Sequence, residues 1–304
     1  MSKAKRMARS LDGVCGVDYG FAFKDGKRTD RMSVRFHMNR KQRLSRLPID
    51  QRLPNKIDGI DLDVLEIGYS PHAGTPRAPQ RLVQPGLSVG NLKQRSTGTL
   101  GAIVRDLTTQ ERYLLSNWHV LCGGPEASVG DPISQPGPMD LGSSPPNEVA
   151  NLERWLRLSE QFDAALGRLA DHMDLSEQLF GTAVVPTATI APALGMSAIK
   201  SGAVSGVSQA LIDGVAGTYR IDYTGFGDGP EWMQGFRLVP DKAAPAAALS
   251  LEGDSGSLWV ERSTSRAVGL HFAGEDDVSP LNDYALAHAI DDVFMRLNVG
   301  LIVP

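Results

Sequence analysis

The sequence predicts a mainly β protein that is preceded by a small α/β unit and ends in a helix. Most of the chain consists of short strand-like segments bounded by turn residues, a pattern typical of an all-β sandwich or barrel. The 32 glycines and 19 prolines are spread along the chain and favour many short elements over long helices. With 304 residues, the chain can form a sizeable core in one large or two modest domains.

The first part of the chain, residues 1–88, predicts a small basic α/β unit followed by a linker. The segments VCGVDYGFAF and MSVRFHMN are strand-like, and the turn-forming KDGKRTD joins them. The segment IDGIDLDVLEIG alternates apolar and polar residues with period two, as a third strand does. A linker rich in Pro and Gly is expected over about residues 69–90.

The remainder, residues 89–304, predicts short strands and a closing helix. The strand-like segments are GTLGAIVRD, RYLLSNWHVL, FDAALGRL, GTYRIDYTGF, GSLWVE and AVGLHFAG. At the end, YALAHAIDDVFMRL predicts a helix with one apolar face, formed by Leu286, Ile290, Val293, Phe294 and Leu297.

The net charge of −4 conceals a strong asymmetry. Residues 1–56 hold 15 Lys or Arg and 5 Asp or Glu, so the remaining residues hold 16 basic and 30 acidic groups. Such a basic segment could contact nucleic acid or an anionic surface, or it could dock on the acidic remainder of its own chain. Docking needs no further partner, and we favour it over nucleic-acid binding.

The number of cysteines and the distribution of apolar residues indicate the cellular compartment in which the protein is expected. No apolar run reaches the roughly 18 residues of a membrane span. The basic start MSKAKRMARS is not followed by the apolar segment of a secretory signal. Cys15 and Cys122 do not make a disulfide framework, although a single bridge stays open. These observations favour a cytoplasmic protein with two free thiols.

The segment LEGDSGSLWV, residues 251–260, contains the first candidate for catalysis. Gly, Asp and Ser often form a simple turn before a strand. Alternatively, Ser255 is a nucleophile on a sharp turn, and the N–H groups of Gly253 and Ser255 together bind an oxyanion. The second interpretation requires a general base and an acid that orients it.

Of the six histidines, His119 is the best candidate for the base because it directly follows the apolar strand YLLSNW. Asp163, in QFDAALGRL, is predicted to lie inside an apolar strand, where a carboxylate is costly unless it is paired. Its nearest rivals are Asp140, Asp171 and Asp174, which lie in loops or among solvated charges.

The segments LLSNWHVL, FDAALGRL and GDSGS resemble the His, Asp and Ser motifs of trypsin-like serine peptidases with the chymotrypsin fold. The resemblance covers about residues 90–298 and implies two β-barrels, here about 89–180 and 181–304, with the active site between them. The whole chain also resembles bacterial trypsin-like proteins with an N-terminal α/β segment.

The resemblance also implies residue roles. The candidates occur in the order His119, Asp163, Ser255, with separations of 44 and 92 residues that are close to those of the well-known triad. His119 is then the general base and acid, Asp163 orients it, and Ser255 forms an acyl-enzyme. Gly253 and Ser255 supply the oxyanion-hole amides. The substrate is a protein or peptide, and no cofactor is needed.

The sequence departs from the animal members of this family at several positions. Asn117 and Trp118 precede His119, and Cys122 follows it by three residues, so the disulfide of those members is not expected. The sequence shows no obvious activation site, that is, no site at which cleavage would release a new N-terminus to pair with Asp254. Two alternatives stay open: Asp254 pairs with an internal Arg, or the enzyme is latent until the basic segment is cut or moved.

Specificity depends on the residues around the implied primary pocket, which are Leu249, Ser250, His271, Phe272 and Ala273. Since Leu249 occupies the pocket base, a preference for Lys or Arg is not expected. GLHFAG resembles GIHWGG of the glutamyl endopeptidases, which implies that His271 and Ser250 bind an acidic side chain. The alternative is a pocket for small or medium apolar residues.

Other functional classes remain open. His37 and His72 lack Cys or acidic partners at ligand spacing, so no metal site is predicted. The main alternative to a peptidase is a catalytically silent binding or scaffold protein with the same fold. A non-peptidase serine hydrolase is disfavoured by the order of the triad residues.

Overall fold

The computed structural model describes residues 2–8, 10–11, 13–24, 27–38, 47–66, 76–241, 248–275 and 283–302. It contains two compact units, Met1–Ala73 and Gly74–Pro304. In the described part of the chain, no helix is both long and apolar enough to cross a membrane.

The first unit is a small sheet with one helix. Its elements are α1 (Ser2–Ala8), β1 (Val14–Lys24), β2 (Lys27–Met38), a 3₁₀ turn (Ile49–Gln51), β3 (Lys56–Ile57) and β4 (Ile60–Glu66). The sheet has the order β1-β2-β4-β3, in which β1 and β2 are antiparallel and β2 and β4 are parallel. Its core is formed by Ala4, Leu11, Val34, Phe36 and Ile57. The three strand-like segments of this region therefore all form strands.

The second unit begins with short strands and a one-turn helix. The elements are β5 (Leu82–Val83), β6 (Ser88–Asn91), β7 (Gly98–Thr99), β8 (Ala102–Asp106), β9 (Arg112–Ser116), α2 (Trp118–Leu121), β10 (Pro132–Ser134), β11 (Glu148–Trp155), β12 (Ala165–Leu169) and β13 (Asp174–Leu175). Val83 and Leu87 are fully buried here, although the sequence predicts a linker at these positions.

The chain continues with longer strands and ends near the first sheet. The elements are β14 (Ala188–Thr189), β15 (Ser197–Gly202), β16 (Gly206–Asp222), β17 (Pro230–Pro240), β18 (Leu258–Glu261), β19 (Arg266–Gly274), β20 (Ala285–Ala289), α3 (Ile290–Leu297) and β21 (Val299–Leu301). Three-residue 3₁₀ turns lie at Pro138–Asp140, Leu158–Glu160 and Thr224–Phe226.

Two curled sheets make up the second unit. The first has the order β21-β8-β9-β12-β11-β10-β6-β7, and the second β14-β19-β18-β15-β16-β17-β20. Because β20 also pairs with β19, six strands of the second sheet close into a barrel. The mainly β, double-barrel fold with a C-terminal helix is thus confirmed.

A continuous apolar core joins the two barrels. Val104, Leu115 and Leu166 of the first barrel belong to the same buried cluster as Leu258 and Leu270 of the second. The apolar face of α3 covers this cluster with Ile290, Val293, Phe294 and Leu297. The shared core holds the ends of β9 and β18 in place, and the candidate site lies next to these ends.

Several element boundaries differ from the sequence predictions. Residues 27–30 of the predicted turn KDGKRTD belong to β2, and Trp118–Leu121 at the end of the strand-like RYLLSNWHVL form α2. The closing helix begins only at Ile290, because Ala285–Ala289 forms a strand that pairs with β17 and β19. Leu286 therefore lies in a sheet and not on the helical face. Asp163 precedes β12, which begins at Ala165, so the prediction of an acid inside the strand is wrong.

Candidate active site

His119 lies on α2, directly after the end of β9. The helix begins after Asn117, whose extended backbone turns the chain inward, and all four helical residues are buried. Asn117 does not cap the helix with its side chain; its Nδ2 donates to the main-chain oxygen of Asp163 at 2.7 Å. This bond fixes the segment that carries Asp163 against the start of the helix.

Asp163 is bound to His119 by two contacts. Its Oδ2 lies 2.5 Å from His119 Nδ1, and its Oδ1 accepts the His119 backbone N–H at 3.2 Å. Burial alone would raise the pKa of Asp163, but the contacts with His119 and the Tyr223 hydroxyl outweigh burial and hold the pKa below its ordinary value. Since the carboxylate only accepts, Nδ1 of His119 is the donor in this contact, and Nε2 is the ring nitrogen that points away from Asp163.

A second histidine supports the main chain of Asp163. His288 Nε2 accepts the backbone N–H of Asp163 at 3.0 Å, and its Nδ1 lies 2.6 Å from the carbonyl oxygen of Gln234. Burial lowers the pKa of His288 to about 4, which keeps the ring neutral. The ring of Phe272 stacks on it with centroids 4.1 Å apart. His288 thereby links the Asp163 segment to β17 and β20.

Ser255 lies in a tight turn before β18. Gly253 and Gly256, on either side of it, have φ angles of 95° and 94°, which favour glycine strongly. The Ser255 carbonyl oxygen accepts the Thr99 N–H at 2.7 Å, and the Gly253 carbonyl accepts the Thr99 hydroxyl at 2.8 Å. The turn of the second barrel is thus anchored on β7 of the first.

Gly98 and Gly256 have no side chain and therefore allow this turn to lie close to the His119 helix and the end of β9. A Cβ on Gly98 would clash with Val120 and lie 2.8 Å from the Ser255 carbonyl oxygen. A Cβ on Gly256 would clash with the side chain of Ser116, at the end of β9. The Ser255 turn therefore packs directly against the segment that carries His119.

The groups expected to react make no hydrogen bonds within the part of the chain that the structure describes. This applies to the Ser255 hydroxyl, to Nε2 of His119, and to the backbone N–H groups of Gly253 and Ser255. Catalytic hydrogen bonds are often long in the free enzyme and shorten when substrate binds. These donors and acceptors are available to a ligand.

Asp254 pairs with Lys200 and not with the expected Arg. Lys200 Nζ donates to Asp254 Oδ2 at 2.8 Å, and neither side chain is exposed. The other carboxylate oxygen accepts the N–H groups of Val204 and Ser205, each at 3.0 Å. Although burial opposes ionisation, the charge of Lys200 and these hydrogen bonds lower the pKa of Asp254 to about 2.

The predicted pocket residues have different surroundings. Ser250 Oγ lies 2.7 Å from His271 Nε2, and both residues are buried. Leu249 packs in the core of the second barrel, and Phe272 packs on His288. Ala273 is partly exposed. Burial and the charge of Lys200 lower the pKa of His271 to about 3, so this ring is neutral.

Cysteine chemistry and metal binding are the two other kinds of chemistry to consider in the described ranges. Cys122 is a free, buried thiol whose pKa burial raises well above its usual range, so it is not a thiolate. The side chain of Cys15, and His72, lie outside the described residues. Among the described residues, His, Cys, Asp and Glu side chains do not form groups of three that could hold a metal ion.

Three residues of the site do not figure in the predictions from sequence: Tyr223, His288 and Lys200. Tyr223 OH donates to Asp163 Oδ2 at 2.9 Å, which joins the β16–β17 hairpin to the His119–Asp163 pair. For Lys200, a signal exists, because a basic residue in an otherwise apolar and small-residue segment needs a buried acid. For the other two, the sequence gives no such signal, since Tyr223 lies in the strand-like GTYRIDYTGF and His288 in the segment predicted as the closing helix.

The comparisons with known proteins point to one fold. No family model matches the sequence, and none of the curated proteins matches it. Among solved structures, Thermobifida fusca protease A matches at 18% identity with a TM-score of 0.52, covering 73% of this chain and 100% of that chain. A Nocardiopsis protease matches at 14% identity with a TM-score of 0.53, covering 72% of this chain and 98% of that chain.

A third match is a glutamic-acid-specific serine protease that uses a histidine triad in substrate binding. It is 20% identical, with a TM-score of 0.52, and the match covers 72% of this chain and 100% of that chain. Identities of 14–20% show a common fold and no more. The chain thus has the fold of the bacterial trypsin- and chymotrypsin-like serine proteases.

Proposed function

We propose that this protein is a serine endopeptidase with His119, Asp163 and Ser255 as its catalytic triad. The observation that carries this proposal is the buried His119–Asp163 pair, 2.5 Å apart, beside a turn that presents Ser255. A buried carboxylate that orients one imidazole nitrogen and leaves the other free is the arrangement that activates a serine hydroxyl.

The reaction follows from these positions. The Ser255 oxygen attacks the carbonyl carbon of the peptide bond, and Nε2 of His119 takes the hydroxyl proton. Asp163 stabilises the imidazolium, while the N–H groups of Gly253 and Ser255 bind the oxyanion. His119 then passes the proton to the leaving amine, which leaves an acyl-enzyme on Ser255. Water, deprotonated by His119, hydrolyses the ester and restores the serine.

For the substrate class, we propose cleavage after Glu or Asp. The supporting observation is the Ser250–His271 contact of 2.7 Å, next to the turn that carries Ser255. The glutamic-acid-specific protease with the same fold uses histidines for its substrate. Here the Ser250 hydroxyl lies 2.7 Å from His271 Nε2, so we assign one hydroxyl and one neutral imidazole as the donors for the acidic side chain. A pocket for small apolar residues is the competing outcome.

The proposal is tested by labelling the full chain with a fluorophosphonate probe. We expect labelling of the native protein and its loss in Ser255→Ala and in His119→Ala. Ser257→Ala is the matched control, since this buried hydroxyl has no hydrogen-bond partner among the described residues, and it should label normally. A folded native chain that does not label would instead support the catalytically silent binding or scaffold protein.

A further inference from the structure

The β16–β17 hairpin extends from the second barrel to the candidate triad. Its strands have 17 and 11 residues, and their pairing continues from Ala210↔Pro240 to Asp222↔Pro230. The short turn between them, Tyr223–Gly229, is closed by main-chain hydrogen bonds.

The tip packs on both members of the His119–Asp163 pair. The Phe226 ring lies with its centroid 4.9 Å from that of His119. The Tyr223 ring is 6.1 Å from His119, and its hydroxyl donates to Asp163 Oδ2 at 2.9 Å. A Cβ on Gly227 would lie 3.1 Å from Pro125, in the segment that follows α2. The tip is therefore seated on the first barrel around the His119 helix.

The same hairpin also holds the segment that leads to Asp163. The Gln234 N–H donates to the Gln161 carbonyl at 3.0 Å, and the two side-chain amides are 2.6 Å apart. The Gln234 carbonyl oxygen accepts a hydrogen bond from Nδ1 of His288, and Nε2 of His288 accepts the N–H of Asp163. One strand of the hairpin thus fixes the main chain of Asp163, and the tip contacts its side chain.

The Tyr223 hydroxyl occupies a decisive position. Oδ1 of Asp163 is held by the backbone of His119, whereas Oδ2 lies between two side-chain donors, His119 Nδ1 and Tyr223 OH. Tyr223 is only 2% exposed, so water does not readily replace its hydroxyl. Without this second donor, the carboxylate could rotate and turn Oδ2 away from the imidazole. His119 would then no longer be held in the tautomer that carries its proton on Nδ1.

We propose that Tyr223 is a positioning residue: its hydroxyl holds the Asp163 carboxylate in the orientation in which Oδ2 accepts the Nδ1 proton of His119. This inference rests on the proposed function, and it adds a fourth residue, contributed by a hairpin of the other barrel. It makes the seating of the hairpin tip a condition for an active triad.

The first test compares Tyr223→Phe with wild type in peptide hydrolysis. The change removes only the hydroxyl, and we expect kcat to fall about tenfold with KM nearly unchanged, since part of the general-base contribution is lost. Tyr219→Phe is the matched control, because Tyr219 lies on the same hairpin and contacts Gly217 instead of Asp163. A folded Tyr223→Phe variant with the kcat of wild type would overturn the proposal.

The second test does not depend on turnover. In the Ser255→Ala protein, NMR should show a far-downfield resonance for the His119 Nδ1 proton and a cross-peak to the Tyr223 hydroxyl proton, because both protons face Oδ2. Tyr223→Phe should shift or broaden that resonance, and Tyr219→Phe should not. An unchanged resonance would refute the positioning role. If Tyr223→Phe shifts the resonance but the wild-type protein does not hydrolyse peptides, the positioning role stands and only the proposed function is refuted.

Discussion

Lys200 and Asp254 form a completely buried ion pair, with Nζ 2.8 Å from Oδ2, directly beside the turn that presents Ser255. The aromatic ring of Trp259 lies 5.5 Å from Nζ on another side. Gly202 allows this approach, because a Cβ there would clash with the Asp254 carboxylate. The pair therefore ties the Ser255 turn to β15, which carries Lys200.

Replacing Lys200 by Met should destabilise the protein strongly. It leaves the Asp254 carboxylate buried without its counter-ion, which typically costs about 3–5 kcal/mol. The free energy of unfolding from urea denaturation measures the effect. Arg237→Met is the control, since its ion pair with Asp213 is partly exposed and should contribute less than about 1 kcal/mol. Similar losses in both variants would contradict this account of the buried pair.

The sequence indicates the parts of the site that depend on local pattern. His119 follows a strand, and Ser255 lies between glycines whose φ angles are positive, so both positions have local signals. The structure brings Asp163 next to His119 but places it before β12 and not inside the strand, because the apolar run FDAALGRL does not show where pairing with β9 begins. The periodicity of apolar residues alone does not show at which residue a strand begins or ends.

The rest of the site depends on contacts between distant elements. Tyr223 reaches Asp163 from 60 residues away, and His288 reaches it from 125 residues away. The segment YALAHA has apolar residues at helical spacing, yet it forms β20, because β17 and β19 offer it hydrogen bonds on both sides. Tertiary pairing overrides local preference in such cases.

Stability should fall as the pH decreases below about 6.5. In the unfolded chain His271 and His288 titrate near about 6.5, whereas burial lowers their folded pKa values to about 3 and about 4. The unfolded chain therefore binds more protons in that window. Each histidine contributes a slope of about 1.4 kcal/mol per pH unit, and the loss ends below the folded pKa.

Urea denaturation between about pH 4 and 7 measures this slope. His288→Gln should roughly halve it, whereas the exposed His172→Gln should leave it unchanged. The carboxylate of Asp254, with a pKa of about 2, adds a separate loss of stability only below about pH 4. A stability profile that is flat from pH 7 to 4 would contradict the neutral state of both buried rings.

Replacing Asp163 by Asn should reduce kcat by about 10⁴ while the fold is retained. The amide cannot accept the Nδ1 proton of His119 as the carboxylate does, so the imidazole loses its orientation and the tautomer that leaves Nε2 free. Steady-state hydrolysis of a peptide substrate measures the effect. Asp174→Asn changes an exposed carboxylate that pairs with Arg81, and it should retain the kcat of wild type. Equal rates for the two variants would exclude Asp163 from the mechanism.

The preference for an acidic residue should depend on Ser250. Two peptides that differ only by Glu or Gln before the cleaved bond give the ratio of kcat/KM values, which should favour Glu in the native protein. Ser250→Ala should lower this ratio at least about tenfold, because a hydrogen bond to a charged group is worth about 1.5–3 kcal/mol. Ser201→Ala removes a buried hydroxyl that has no hydrogen-bond partner in the described part of the chain, and it should leave the ratio intact. Because the pKa of His271 is about 3, the ratio should stay constant between about pH 5 and 8.

A native protein that cleaves both peptides equally well would instead indicate an apolar pocket, in which Ser250 and His271 hydrogen-bond only to each other.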